Sequence, residues 1–148
     1  RVIDGEFHSG VIIHEGQLTY AEYGLECLLD LGIWWQERTG GLPLPLGGNV
    51  IRRDLGNELM EQITNWVSQS IEHSLTHPDV ALDYARQWGR GIDELTNSRF
   101  VQMYVNQRTL DYGNDGRDSV RRFLREGQES GMVNEEFNTE EIEFIGSK

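Results

Sequence analysis

Leu42-Pro43-Leu44-Pro45-Leu46-Gly47-Gly48-Asn49-Val50-Ile51-Arg52-Arg53 divides this chain into two kinds of sequence. The two prolines remove backbone donors, so the stretch cannot run through the interior of a sheet. Gly47-Gly48 opens backbone angles closed to other residues. The expected course is an extended segment, a bend, and a strand from Asn49 to Arg53, the kind of link that carries a chain between two lobes.

On the N-terminal side the pattern is short and extended. Gly10-Val11-Ile12-Ile13 is an apolar run that breaks into His14-Glu15-Gly16-Gln17, which reads as a buried strand with polar residues at its end. Leu25 to Leu31 reads as a second strand, with Cys27 buried in it as a small hydrophobe. Ile33 to Arg38 reads as a short helix closed by Gly40-Gly41. Of the Trp34-Trp35 pair on it, the expected use is core and interface anchor.

Beyond residue 55 the period becomes helical. Leu59, Ile63, Trp66, Val67, Ile71 and Leu75 line one face over about five turns. Pro78 suits the first turn of the next helix, with Val80, Ala81, Tyr84, Ala85 and Trp88 toward a core and Gly89 as its stop. A third helix follows Thr96 or Asn97 as cap and carries Phe100, Val101, Tyr104 and Val105. A fourth runs from about Gly116 to Ser130, with Gly131 past its end. Ile142 to Ile145 suits one more extended segment. The class is therefore α/β, with few strands for so many helices, which looks like the back half of a larger protein.

Composition narrows the function. The 148 residues suffice for one compact domain. Thirteen basic against 25 acidic side chains give a net charge of −12, which disfavours nucleic acid and anionic lipid. No apolar run is long enough to span a membrane. One cysteine excludes an internal disulfide, and a cytoplasmic location is the default expectation.

His14 is the leading candidate for chemistry, because strand ends in α/β sheets face the ligand crevice and imidazole suits a general base near neutrality. Glu15 beside it is expected to face the other way. Gly16 permits close ligand approach, and Gln17 offers both a donor and an acceptor. Asn49 and one of Arg52 and Arg53 could hold a ligand carboxylate, against which stands a salt bridge from the arginines to Asp54 or Glu58. His73 and His77 are four apart, but Thr76-Pro78 ends the helix between them, so no metal site is expected. Arg117, Arg121 and Arg125 are interleaved with acidic residues, and surface ion pairs account for them.

Taken in order, Ile13-His14-Glu15-Gly16-Gln17-Leu18-Thr19, Leu29-Asp30-Leu31-Gly32 with Trp35, and the Leu42 to Arg53 block resemble one family, the 1,4-dihydroxy-6-naphthoate synthases of the futalosine route to menaquinone. Tyr104-Val105-Asn106, Thr109-Leu110-Asp111 and Gly116-Arg117 fit the same family's later helices. The sister enzyme chorismate dehydratase shares the family's fold without the His14 block.

The resemblance implies a type II periplasmic-binding-protein-like fold of two lobes, with the active site between them. Residues 1–54 would belong to the smaller lobe and the crossover, and 55–148 would pack helically on the larger. It implies a cytoplasmic lyase that breaks a carbon–carbon bond of cyclic dehypoxanthinyl futalosine without metal or organic cofactor. Its proposed general base falls on His14, with Gly16, Gln17, Asn49 and Arg52 as substrate-binding candidates. Family chains are about twice this length, a two-lobe size, and this one matches the C-terminal half. The expected partners are a small-molecule substrate and either a missing N-terminal half or a second copy. The competing expectations are a non-catalytic binder of small carboxylates on the same fold, a dehydratase-like sister enzyme, and an interaction remnant.

Overall fold

The computed structural model describes residues 1–87, 94–134, 136 and 138–146. It is helical: α1 (Gly16–Thr19), α2 (Leu31–Thr39), α3 (Asn57–Thr76), α4 (Pro78–Arg86), α5 (Glu94–Tyr104), α6 (Gln107–Leu110) and α7 (Gly113–Glu129). Short 3-10 turns lie at Tyr20–Tyr23, Arg53–Leu55 and Thr139–Glu141. Two compact units result, Arg1–Leu29 with Ser74–Asn106 and Asp30–His73 with Gln107–Lys148.

Local signals set the helix ends. The Asp30 carboxylate accepts from the amides of Gly32 at 2.8 Å and Ile33 at 3.0 Å, a side-chain cap that starts α2. Gly40, at φ +76°, ends it in the left-handed region, a conformation that suits a residue without Cβ. Pro78 stands at the first helical position of α4, where its missing amide costs no bond. α7 extends three residues earlier than its apolar spacing suggested and closes before Gly131. α5 also begins earlier, so Thr96 and Asn97 lie inside it. The expected roles of Trp88 and Gly89 fall outside the described residues.

In the second unit a small core forms around Trp35, which is 1% exposed. Its indole Nε1–H donates to Ser119 Oγ at 2.9 Å, and that hydroxyl donates to the Pro43 carbonyl at 2.6 Å. The ring of Phe123 meets Trp35 edge-on at 5.5 Å. Trp34 stays half exposed, with the Arg38 guanidinium above it at 5.7 Å. Thus α2, α7 and the proline segment are tied by one aromatic anchor. Met60 on α3 is the other buried apolar side chain among the described residues.

The strands read from sequence are absent among the described residues. Residues 10–13, 25–30 and 49–52 lack regular structure, and the helix expected at Ile33 begins already at Leu31. A strand exists only as half of a ladder, and no described segment pairs with these runs. Their apolar side chains therefore stay in the open: Val11 and Ile13 are each 75% exposed and Val50 is 99% exposed. Cys27, expected to be buried, is exposed for the same reason. The tail segment at 142–145 likewise forms no strand and follows a 3-10 turn. The helix faces predicted to be core are also open in part, since Trp66, Val80 and Tyr84 are all exposed.

Candidate active site

The N-terminal apolar run delivers His14 to the point where backbone direction changes. The amide of Gln17 donates to the His14 carbonyl at 3.0 Å, which starts the single turn of α1. Two residues beyond the histidine, the Gly16 amide donates to Nδ1 of the imidazole at 3.1 Å. A Cβ on Gly16 would lie 2.8 Å from His14 Cε1 and 3.1 Å from Nδ1, so the ring occupies the space a side chain would need. The close approach expected at Gly16 is thus made by the protein's own imidazole.

This bond assigns the tautomer. Neutral imidazole has one lone pair and one N–H on its ring nitrogens. With Nδ1 accepting from Gly16, the proton sits on Nε2. His14 therefore presents a donor, and its side chain is 55% exposed. Glu15 is closer than expected, with Oε2 3.9 Å from Nδ1, because the chain turns into α1 rather than continuing extended.

Gln17 is also committed in part. Its Nε2 donates to the Tyr104 hydroxyl at 2.7 Å, and that hydroxyl donates in turn to the Ile13 carbonyl at 3.3 Å. Phe100, one turn back on α5, meets the Tyr104 ring at 4.8 Å between centroids. Sequence reading placed Tyr104 on an inward helix face and assigned it no part in the site. Its contact with Gln17 spans 87 positions, which no local pattern records.

His14, Gly16 and Gln17 come together within the first unit, whereas Asn49 and Arg52 belong to the second. Asn49 is exposed on its extended segment. Arg52 forks onto the Asp54 carboxylate, Nε donating at 2.9 Å and one terminal nitrogen making a second, shorter bond. This pair raises the Arg52 pKa and holds Asp54 below the usual carboxylate range. The salt bridge weighed from sequence is therefore formed.

The other candidates are structural. Arg117 pairs with Asp111, Arg121 with Asp118 at 3.5 Å and Arg125 with Glu140 at 3.6 Å. His73 lies in α3, whereas His77 has left helical geometry at φ −128° and its Nδ1 is 3.0 Å from Thr76 Oγ1. Among the described residues no three of His, Cys, Asp and Glu form a metal-ligand grouping, and no helix is long and apolar enough to cross a membrane.

Comparison with known proteins places this chain in a family. Residues 1–129 match the family model for menaquinone biosynthesis. Over 132 residues the chain is 43% identical to the 1,4-dihydroxy-6-naphthoate synthase of Thermus thermophilus, covering 89% of this chain and 48% of that protein. The Streptomyces coelicolor enzyme of the same name is 34% identical over 132 residues, covering 89% and 46%. A crystal structure of an Archaeoglobus fulgidus protein superposes with a TM-score of 0.82 at 41% identity, over 89% of this chain and 50% of that one. The chain spans about half the length of the curated relatives it matches. It belongs to the menaquinone-biosynthesis family, alongside proteins named 1,4-dihydroxy-6-naphthoate synthase.

Proposed function

We propose that this chain is the histidine-bearing half of a 1,4-dihydroxy-6-naphthoate synthase, a carbon–carbon lyase acting on cyclic dehypoxanthinyl futalosine. The observation that carries the reading is His14, exposed at the turn into α1 with Gly16 against its ring, in a chain so similar to named synthases. His14 acts as the base that takes a substrate proton and starts cleavage. Its lone pair lies at Nδ1, so base action requires the ring to release the Gly16 amide and turn that nitrogen to the substrate. Gly16 and the Oε1 of Gln17 line the substrate, and Asn49 and Arg52 serve its carboxylate and hydroxyls. Arg52 does so by exchanging Asp54 for the ligand, a swap of one carboxylate for another.

The pocket is completed by residues equivalent to the half of the relatives that this sequence does not match. That half covers the exposed apolar runs at residues 10–13 and 46–51. A reducing, cytoplasmic setting suits the exposed thiol of Cys27.

The test is conversion of cyclic dehypoxanthinyl futalosine to 1,4-dihydroxy-6-naphthoate, with this chain alone and together with the unmatched half of the Thermus protein. Turnover in the pair that is abolished by His14→Gln supports the reading. Turnover that survives His14→Gln removes the base role.

The donor character of His14 favours one second reading, a small-carboxylate binder in which Nε2–H bonds the ligand. A binder keeps its ligand with no product formed, and His14→Ala weakens affinity alone.

A further inference from the structure

The exposed position of His14 leaves its ring dependent on how its backbone is held. Both flanks of that backbone converge on one phenol. On one side the Ile13 carbonyl accepts from the Tyr104 hydroxyl at 3.3 Å; on the other the Gln17 side-chain amide donates to the same oxygen at 2.7 Å. A phenol has one proton to give and lone pairs to receive, so both bonds are compatible at once. The phenol itself is braced by Phe100, four residues earlier on the same face of α5. The segment from Ile13 to Gln17 is thus closed into a loop around His14 by a residue 87 positions away.

We propose that Tyr104 is a positioning residue for His14. By fixing Ile13 and Gln17 it sets the backbone from which the Gly16 amide reaches Nδ1, and so it selects which imidazole nitrogen carries the proton. In this role Tyr104 acts through the segment that carries His14 and not on the substrate. The inference rests on His14 being the reactive group, but its structural content is the tautomer, which can be read without turnover.

The experiment is long-range ¹H–¹⁵N correlation spectroscopy on the ¹⁵N-histidine-labelled chain, with His14→Gln identifying the His14 signals. In the unsubstituted chain, His14 shows the pattern of an Nε2-protonated ring at a pH where it is neutral. Tyr104→Phe keeps the ring beside Phe100 and deletes the hydroxyl's bonds to Ile13 and Gln17. In this variant the His14 signals move toward the averaged pattern of a ring exchanging between tautomers, while those of His73 and His77 stay in place. Gln17→Leu removes one of the two ties and gives an intermediate displacement, which keeps the question open to measurement if Tyr104→Phe does not fold. His14 signals unchanged in the folded variants overturn the proposal, whatever becomes of the base role. Loss of turnover in His14→Gln together with unmoved His14 signals in folded Tyr104→Phe leaves the base reading standing and removes the positioning role.

Discussion

The Gly16 amide and the His14 imidazole are in contact at 3.1 Å, and the space where a Cβ would stand on Gly16 is filled by the ring. Gly16→Ala therefore forces the imidazole to move, since the 2.8 Å approach to Cε1 is closer than carbon atoms tolerate. We predict loss of the Nδ1 bond, visible as altered His14 ring nitrogen shifts. Unaltered His14 shifts in Gly16→Ala would show that the ring is not held there.

The second unit depends on a different pair. Ser119 is fully buried between the Trp35 indole and the Pro43 carbonyl. Ser119→Ala orphans the indole N–H and should cost about 1–3 kcal/mol, as for a buried donor left unsatisfied. Trp35→Ala removes the anchor itself and should cost about 3–5 kcal/mol. Denaturant midpoints of the two variants check both the sizes and their order.

Glu126 gives a pH-dependent signature. Its carboxylate accepts from Arg122 at 3.0 Å and from Arg38 at 3.1 Å, and these two guanidiniums, Arg122 foremost, hold it below the usual glutamate range. A carboxyl whose folded pKa is lowered stabilises the fold at pH above its unfolded value and loses that contribution as pH falls through the folded value. Glu126→Gln should thus lower the melting temperature at pH 7, and the gap from the unsubstituted chain should shrink under acid. Since the pair is partly exposed, salt should shrink it as well. A gap that stays constant from pH 7 to pH 3 contradicts the ion-pair account.

Hydrogen exchange should distinguish the open runs from the small core. Residues 10–13 and 46–51 have no backbone ladder among the described residues, and their side chains are largely exposed. Their amides should exchange fast in this chain alone, with the middle of α7 slower. Adding the unmatched half of the Thermus protein should slow both runs if they become paired strands. Exchange that stays fast in an active mixture would separate activity from strand pairing.

Much of the helical half was legible because its signals are local. Gly40 after Thr39, Pro78 at a helix start and Gly131 after Ser130 each act within one turn of the chain, so the close of α2, the start of α4 and the close of α7 follow from sequence, whereas α2, α5 and α7 begin earlier than expected. The same holds for the Arg52–Asp54 pair, two residues apart. The apolar runs misled for an equally physical reason. Val11, Ile13 and Val50 have the composition of buried strand residues, but a strand is made by its neighbour, and among the described residues no segment pairs with them.

By itself, then, the sequence determined where several helices close and where α4 starts, which family the chain belongs to, and that His14 stands at the close of an apolar run beside a glycine. Those properties depend on residues within a few positions of one another. Only the tertiary structure decided that Nδ1 of His14 faces the Gly16 amide, that Trp35 sits over Ser119, and that Tyr104 grips both flanks of the histidine. The last two join residues 84 and 87 positions apart, and such pairs are set by the packing of whole elements, which leaves no periodic trace along the chain.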